Sequence, residues 1–220
     1  MIRSKKPLQL YLVRHVEAYK NLSDIHGGGD QRLTPSGIKQ AVRIGNFLRQ
    51  HGNFELNTGV VIHQPEGRST ETARIIGKVA AARIRLEPTF KGVTMGIIAG
   101  LPEKEVEALY PDVAAGIRAW RANPGAMAHP VVPGSESNTS FADRIRAGLK
   151  RSITRAQGLH QSIAVVVTSS TLTMLNHLLV NDGKLREGAY AFTDPPLGSV
   201  AAWCLSADAP VQTLPTTVPK

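Results

Sequence analysis

Residues 163–168, Ile-Ala-Val-Val-Val-Thr, place five apolar residues in a row with nothing polar to turn toward water. A short run of this kind is a strand buried on both faces, and it belongs at the centre of a parallel sheet. Leu8-Gln-Leu-Tyr-Leu-Val13 is a second run rich in strand formers, bounded by Pro7 and by charged residues. Val60-Val-Ile62, residues 84–86 and residues 199–205 supply further strands. Between them the apolar period becomes helical. Thr34-Pro35 is an N-cap followed by a first-turn proline, and Ile38, Ala41, Val42, Gly45 and Leu48 follow before Gly52. Helices are expected through residues 72–76, 103–109, 141–153 and 172–179. The alternation reads as an α/β protein.

The chain of 220 residues, 42% of them hydrophobic, can close one core, and residues 1–207 are read as a single domain. Pro111, Pro124, Pro130 and Pro133 mark an excursion, about 92–137, over the active face. The tail from residue 208, with three prolines and few large apolar residues, is expected to be mobile.

Twenty-six Lys and Arg against 17 Asp and Glu leave a net charge of +9, a field that attracts anions such as phosphate esters. The basic residues are scattered without interleaved aromatics, which argues against nucleic acid as the partner. Cys204 stands alone, so no intrachain disulfide and no thiolate metal cluster can form. The basic N-terminus leads into a strand rather than a signal core, and no apolar run reaches bilayer length. These features are read as cytoplasmic, with no membrane partner.

The first strand delivers Arg14 and His15 to its carboxyl end, where open α/β sheets place their ligand crevice. Leu12-Val-Arg-His-Val-Glu, with Asn21 downstream, resembles the signature of the histidine phosphatase superfamily, the group containing phosphoglycerate mutases. The resemblance continues in order through Asp30-Gln-Arg-Leu-Thr-Pro-Ser-Gly-Ile-Lys-Gln-Ala41, Arg68-Ser-Thr-Glu-Thr-Ala73, and Pro133-Gly-Ser-Glu-Ser137 with Phe141 and Arg144. It implies a three-layer α/β/α sandwich with a mostly parallel central sheet, phosphoglycerate mutase-like. It also implies catalysis through a phosphohistidine on His15, with Arg14, Asn21 and Arg68 binding phosphate. The chemistry fits: a neutral imidazole is a good nucleophile toward phosphorus, and guanidinium forks stabilise the transferring group.

Two places depart from the family pattern. Its second histidine follows the central strand in Ser-His-Gly-Gly, and this chain has Thr168-Ser169-Ser170-Thr171, so Ser169 takes the histidine's place. The pattern's proton donor is a Glu four residues before a glycine. Glu87 stands five before Gly92 and is taken as the donor across a one-residue bulge, with Glu66 and Glu103 as fallback acids. His63 and Gln64 stand beside the expected pocket. The site calls for no metal and no cofactor. The leading expectation is a phosphomonoester hydrolase acting on an anionic, phosphorylated small molecule. A weakly active or inactive phosphate-ligand binder and a mutase-type phosphotransferase remain as alternatives. The mutase is disfavoured because Pro88-Thr-Phe-Lys-Gly92 lacks the Arg and His those enzymes carry. Specificity is expected from Met95, Ile97, Ile98, Trp120 and Met127 in the excursion.

Overall fold

The computed structural model of the chain describes residues 8–23, 25–52, 54, 58–122, 132–159, 161–186, 190, 193–205 and 210–216. Six strands form one sheet: β1 (Leu8–Arg14), β2 (Gly59–His63), β3 (Arg83–Leu86), β4 (Ser162–Val167), β5 (Val200–Leu205) and β6 (Pro210–Thr216). Their order is β3-β2-β4-β1-β5-β6. The first four are mutually parallel, and β5 and β6 add antiparallel strands beyond β1. β4 is buried at every residue and lies inside the sheet between β2 and β1, as its unbroken apolar run requires.

Side-chain alternation divides the core in two. Leu10, Leu12, Ile163 and Val165 face α5 (Asn138–Leu159) and α6 (Ser169–Val180). Tyr11, Val13, Ala164 and Val166 face α1 (Pro35–His51) and α2 (Gly67–Val79). The molecule is therefore the expected three-layer sandwich. The buried stripe of α1 is Gly37, Ala41, Ile44, Gly45 and Leu48, whereas Ile38 and Val42 reach solvent. Glycines set this rotation. A Cβ on Gly45 would stand 2.6 Å from Val79 Cβ, and one on Gly37 only 2.0 Å from the Glu17 carbonyl oxygen.

The excursion holds more helix than its prolines suggest. The expected helix α3 (Glu103–Leu109) is followed by α4 (Pro111–Ala122), because Pro111 occupies the first helical turn, where no N–H is needed and its φ is already helical. Ile98, Val106, Ala114, Ile117 and Val132 form a small core of their own. The glycine loop ties this unit down through a bridge between Ile25 and Pro102 and a hydrogen bond from His26 N to the Leu101 carbonyl (2.8 Å). Ile98 is thus core rather than pocket wall, Met95 packs against that core, and Ile97 is 40% exposed. The Trp120 side chain and Met127 lie outside the described residues. The tail is corrected over residues 210–216, which pair with β5 as the edge strand β6. Proline is tolerated there, since an edge strand has a side with no ladder to donate to.

Candidate active site

Parallel strands end on the same side of a sheet, so β1, β2 and β4 deliver their following residues to one edge. His15 follows β1, Gln64 to Glu66 link β2 to α2, whose first turn carries Arg68, and Thr168 leads from β4 into α6. His15 N donates to the Val167 carbonyl (2.9 Å), which locks the first and last of these connections together.

His15 is 2% exposed. Its Nδ1 donates to the Val16 carbonyl (2.8 Å), and its Nε2 accepts from Arg68 Nε (2.9 Å). The second bond requires an unprotonated Nε2, so the ring is the neutral tautomer with its lone pair turned to the guanidinium. Burial, then the charge of Arg68, push the His15 pKa down to about 3; Arg14 adds to this and the Val16 carbonyl only partly opposes it. Arg68 is oriented by Gln31, whose Oε1 accepts from Nη1 and whose Nε2 donates to the Gly28 carbonyl (2.6 Å). Arg14 is held at its Nη1 by the Pro195 carbonyl and by Asp194 (3.0 Å).

Buried polar atoms normally find partners. Among the described residues, five side-chain atoms do not, and four belong to this edge: Arg14 Nε, Gln64 Nε2, Glu66 Oε2 and Ser69 Oγ. A buried cationic cup whose Arg14 Nε and Gln64 Nε2 donors lack partners suits an oxyanion such as a phosphoryl group. Glu66 contributes the carboxylate. Its Oε1 accepts from Gly92 N (2.8 Å), and a Cβ on Gly92 would approach Glu66 Oε1 to 3.2 Å and Thr168 Oγ1 to 3.3 Å. The loop at Gly92 therefore lies directly over the connections that follow β2 and β4.

The sequence profile of the histidine phosphatase superfamily (branch 1) matches residues 10–188. The chain belongs to this superfamily. Curated relatives include the probable phosphoglycerate mutase GpmB of Salmonella paratyphi C, 29% identical over 69% of this chain and 66% of that protein. Its counterpart from Erwinia tasmaniensis is 31% identical over 64% and 61%. The match spans just under two thirds of these relatives' length. Among solved structures, Bacillus stearothermophilus YhfR superposes with a TM-score of 0.77 at 17% identity, covering 96% of this chain and 98% of that one. The alpha-ribazole phosphatase of Shigella flexneri gives 0.72 at 18%, covering 96% and 97%. A mycobacterial glucosyl-3-phosphoglycerate phosphatase gives 0.70 at 20%, covering 90% and 91%. These likenesses establish the fold.

Measured against the superfamily pattern, the structure brings Arg14, His15 and Arg68 together and moves Glu87 out. Glu87 Oε1 accepts from Thr89 Oγ1 (2.7 Å) and from Arg151 Nη2 (2.7 Å). Burial raises its pKa, but the hydrogen bonds from Arg151 and Thr89 and the charge of Arg151 outweigh this and leave it below the usual carboxylate value. An ionised, paired carboxylate has no proton to give. Further along the same loop Gly96 has a φ of +53° and a Pro133 carbonyl 2.2 Å from where a Cβ would stand, so the turn there requires glycine. Glu66, from the connection after β2, is instead the carboxylate that meets the Gly92 loop.

Ser169 is half-buried and begins α6, next to the Thr168 whose amide donates to Gln64 Oε1 (2.9 Å). Asn21 is exposed, and its Oδ1 accepts from Ala18 N (3.0 Å), capping a 3-10 turn at Tyr19–Leu22. Glu103 starts α3 in the excursion. Gln31 and Asp194, which aim the two arginines, left no mark in the sequence, because their roles depend on contacts across 37 and 180 positions.

Proposed function

We propose that the chain hydrolyses phosphomonoesters of small anionic metabolites through a phosphohistidine on His15. The observation that carries this reading is the Arg68 Nε to His15 Nε2 hydrogen bond, which shows a neutral ring with its lone pair set beside a guanidinium. Nε2 attacks phosphorus, and the ester oxygen leaves with a proton from Glu66 Oε2. Arg14 and Arg68 bind the non-bridging oxygens as charge spreads over them, and Asn21 donates to the bound phosphate. Water then attacks the phosphohistidine, returns a proton to Glu66, releases phosphate and restores the neutral imidazole. Ser169 supplies a neutral hydroxyl where the superfamily pattern has a histidine. The described parts of the excursion, residues 92–122 and 132–137, select the substrate's organic part. No helix among the described residues is long and apolar enough to cross a membrane, and we place the reaction in the cytoplasm.

A second reading, a phosphate-ligand binder without turnover, draws on Ser169 and on the pairing of Glu87 with Arg151. The two are separated by assaying wild type, His15→Ala and Glu66→Gln on 4-nitrophenyl phosphate and on alkyl phosphates. Hydrolysis is expected in wild type and absent in His15→Ala. Glu66→Gln is expected to slow alkyl esters by roughly 10²-fold or more while sparing the nitrophenyl ester, whose leaving group needs no proton. Equal background rates in wild type and His15→Ala would overturn the hydrolase reading and leave the binder.

A further inference from the structure

The fifth orphaned atom, Arg85 Nε, belongs to a residue lining a cleft that does not include His15. This cleft, about 180 Å³ in volume, runs along β2 and β3 from their first residues to Ile62 and Arg85, with the start of β4 and the second half of α5 as its other walls. Strand register puts Arg83 opposite Val60 and Arg85 opposite Ile62. Alternation turns these four side chains to the same face, and Ser152 and Arg155 of α5 complete the lining. Three guanidiniums thus stand over an apolar floor. Among the described residues, none of the three has a carboxylate within ion-pair distance. The nearest acid, Glu87, is held by Arg151.

Arg85 donates from Nη2 to Ser152 Oγ (3.1 Å), and among the described residues this is its one bond to another side chain. Burial, then the charges of Arg155 and Arg151, depress its pKa; only Glu87 opposes them. Arginines on an edge strand can simply discourage pairing with another sheet. That role needs a charge at the solvated rim. It does not explain a guanidinium nitrogen buried without a partner beside two like charges, an arrangement that costs free energy until an anion fills it.

We propose that this cleft is a second anion-binding site. It takes a small oxyanion, phosphate or carboxylate, bridging Arg85 and Arg155, with an attached apolar group lying on Val60 and Ile62. The volume suits one such molecule rather than a polymer. The site is independent of turnover at His15.

Isothermal titration with phenylphosphonate, inorganic phosphate and phenylacetate, in buffer free of other oxyanions, tests it. Arg68→Ala serves as the background that disables the His15 centre. One equivalent of phenylphosphonate is expected to bind that variant, more tightly than inorganic phosphate, and phenylacetate is expected to compete. Adding Arg155→Ala, at an exposed position, should weaken binding roughly tenfold or more, and Arg85→Lys should weaken it although charge is kept. The proposal is overturned if Arg68→Ala binds nothing at millimolar ligand, or if both additional substitutions leave the affinity unchanged.

Discussion

His15 shows how one buried ring links stability to pH. Its folded pKa of about 3 lies below the ordinary 6.5 of an unfolded chain, so between those values the unfolded state binds more protons. Stability is complete above about pH 6.5 and falls as pH drops toward 3, with a slope of up to about 1.4 kcal/mol per pH unit from this residue. Urea unfolding of wild type and His15→Gln across that range checks it. The variant's profile should be flatter, and parallel profiles would contradict the assignment. Ser169 makes a second prediction at this scale. A charged donor to a phosphoryl oxygen exceeds a neutral hydroxyl by roughly 1 kcal/mol, so Ser169→His is expected to raise kcat about fivefold. A fall in kcat with unchanged fold, read by circular dichroism, would mean the serine is matched to its surroundings.

At the level of elements, α1 illustrates how packing overrides periodicity. Ile38 and Val42 fit a helical apolar stripe as well as Ile44 does, yet only Ile44 is buried, because glycines at 37 and 45 let the helix approach the Glu17 carbonyl and α2. In an isolated helix, Gly→Ala stabilises by about 1 kcal/mol. At Gly37 the new Cβ would stand 2.0 Å from the Glu17 carbonyl oxygen, and relieving that overlap costs more than propensity returns. Gly37→Ala is therefore expected to lose about 2 kcal/mol net, read as a lower urea midpoint; an unchanged or higher midpoint would show that α1 can slide. The Arg144 side chain acts between elements in a similar way. It binds the carbonyls of Thr89 (2.8 Å) and Gly92 (3.0 Å) and pairs with Glu136 from the end of the excursion. Its place in the Pro133-to-Arg144 segment was visible in the sequence, but not that it holds the Gly92 loop over Glu66.

For the whole molecule, β6 closes a sheet that would otherwise end on β5, an apolar strand containing Trp203. Truncation after residue 207 would expose that ladder, and concentration-dependent association is expected by light scattering, whereas a monodisperse product would show the edge is already protected. The sequence by itself determined the α/β class and the position of Arg14 and His15 at a strand's carboxyl end, because unbroken apolar runs and their polar ends are local patterns; Arg68 was marked by its resemblance to the superfamily motif. The tertiary structure decided the rest. It sent Glu87 to Arg151, brought Glu66 to the Gly92 loop, and gathered Arg83, Arg85 and Arg155 around one cleft. Each of these outcomes depends on residues far apart in the chain meeting in space, and spacing along the sequence carries no record of distance.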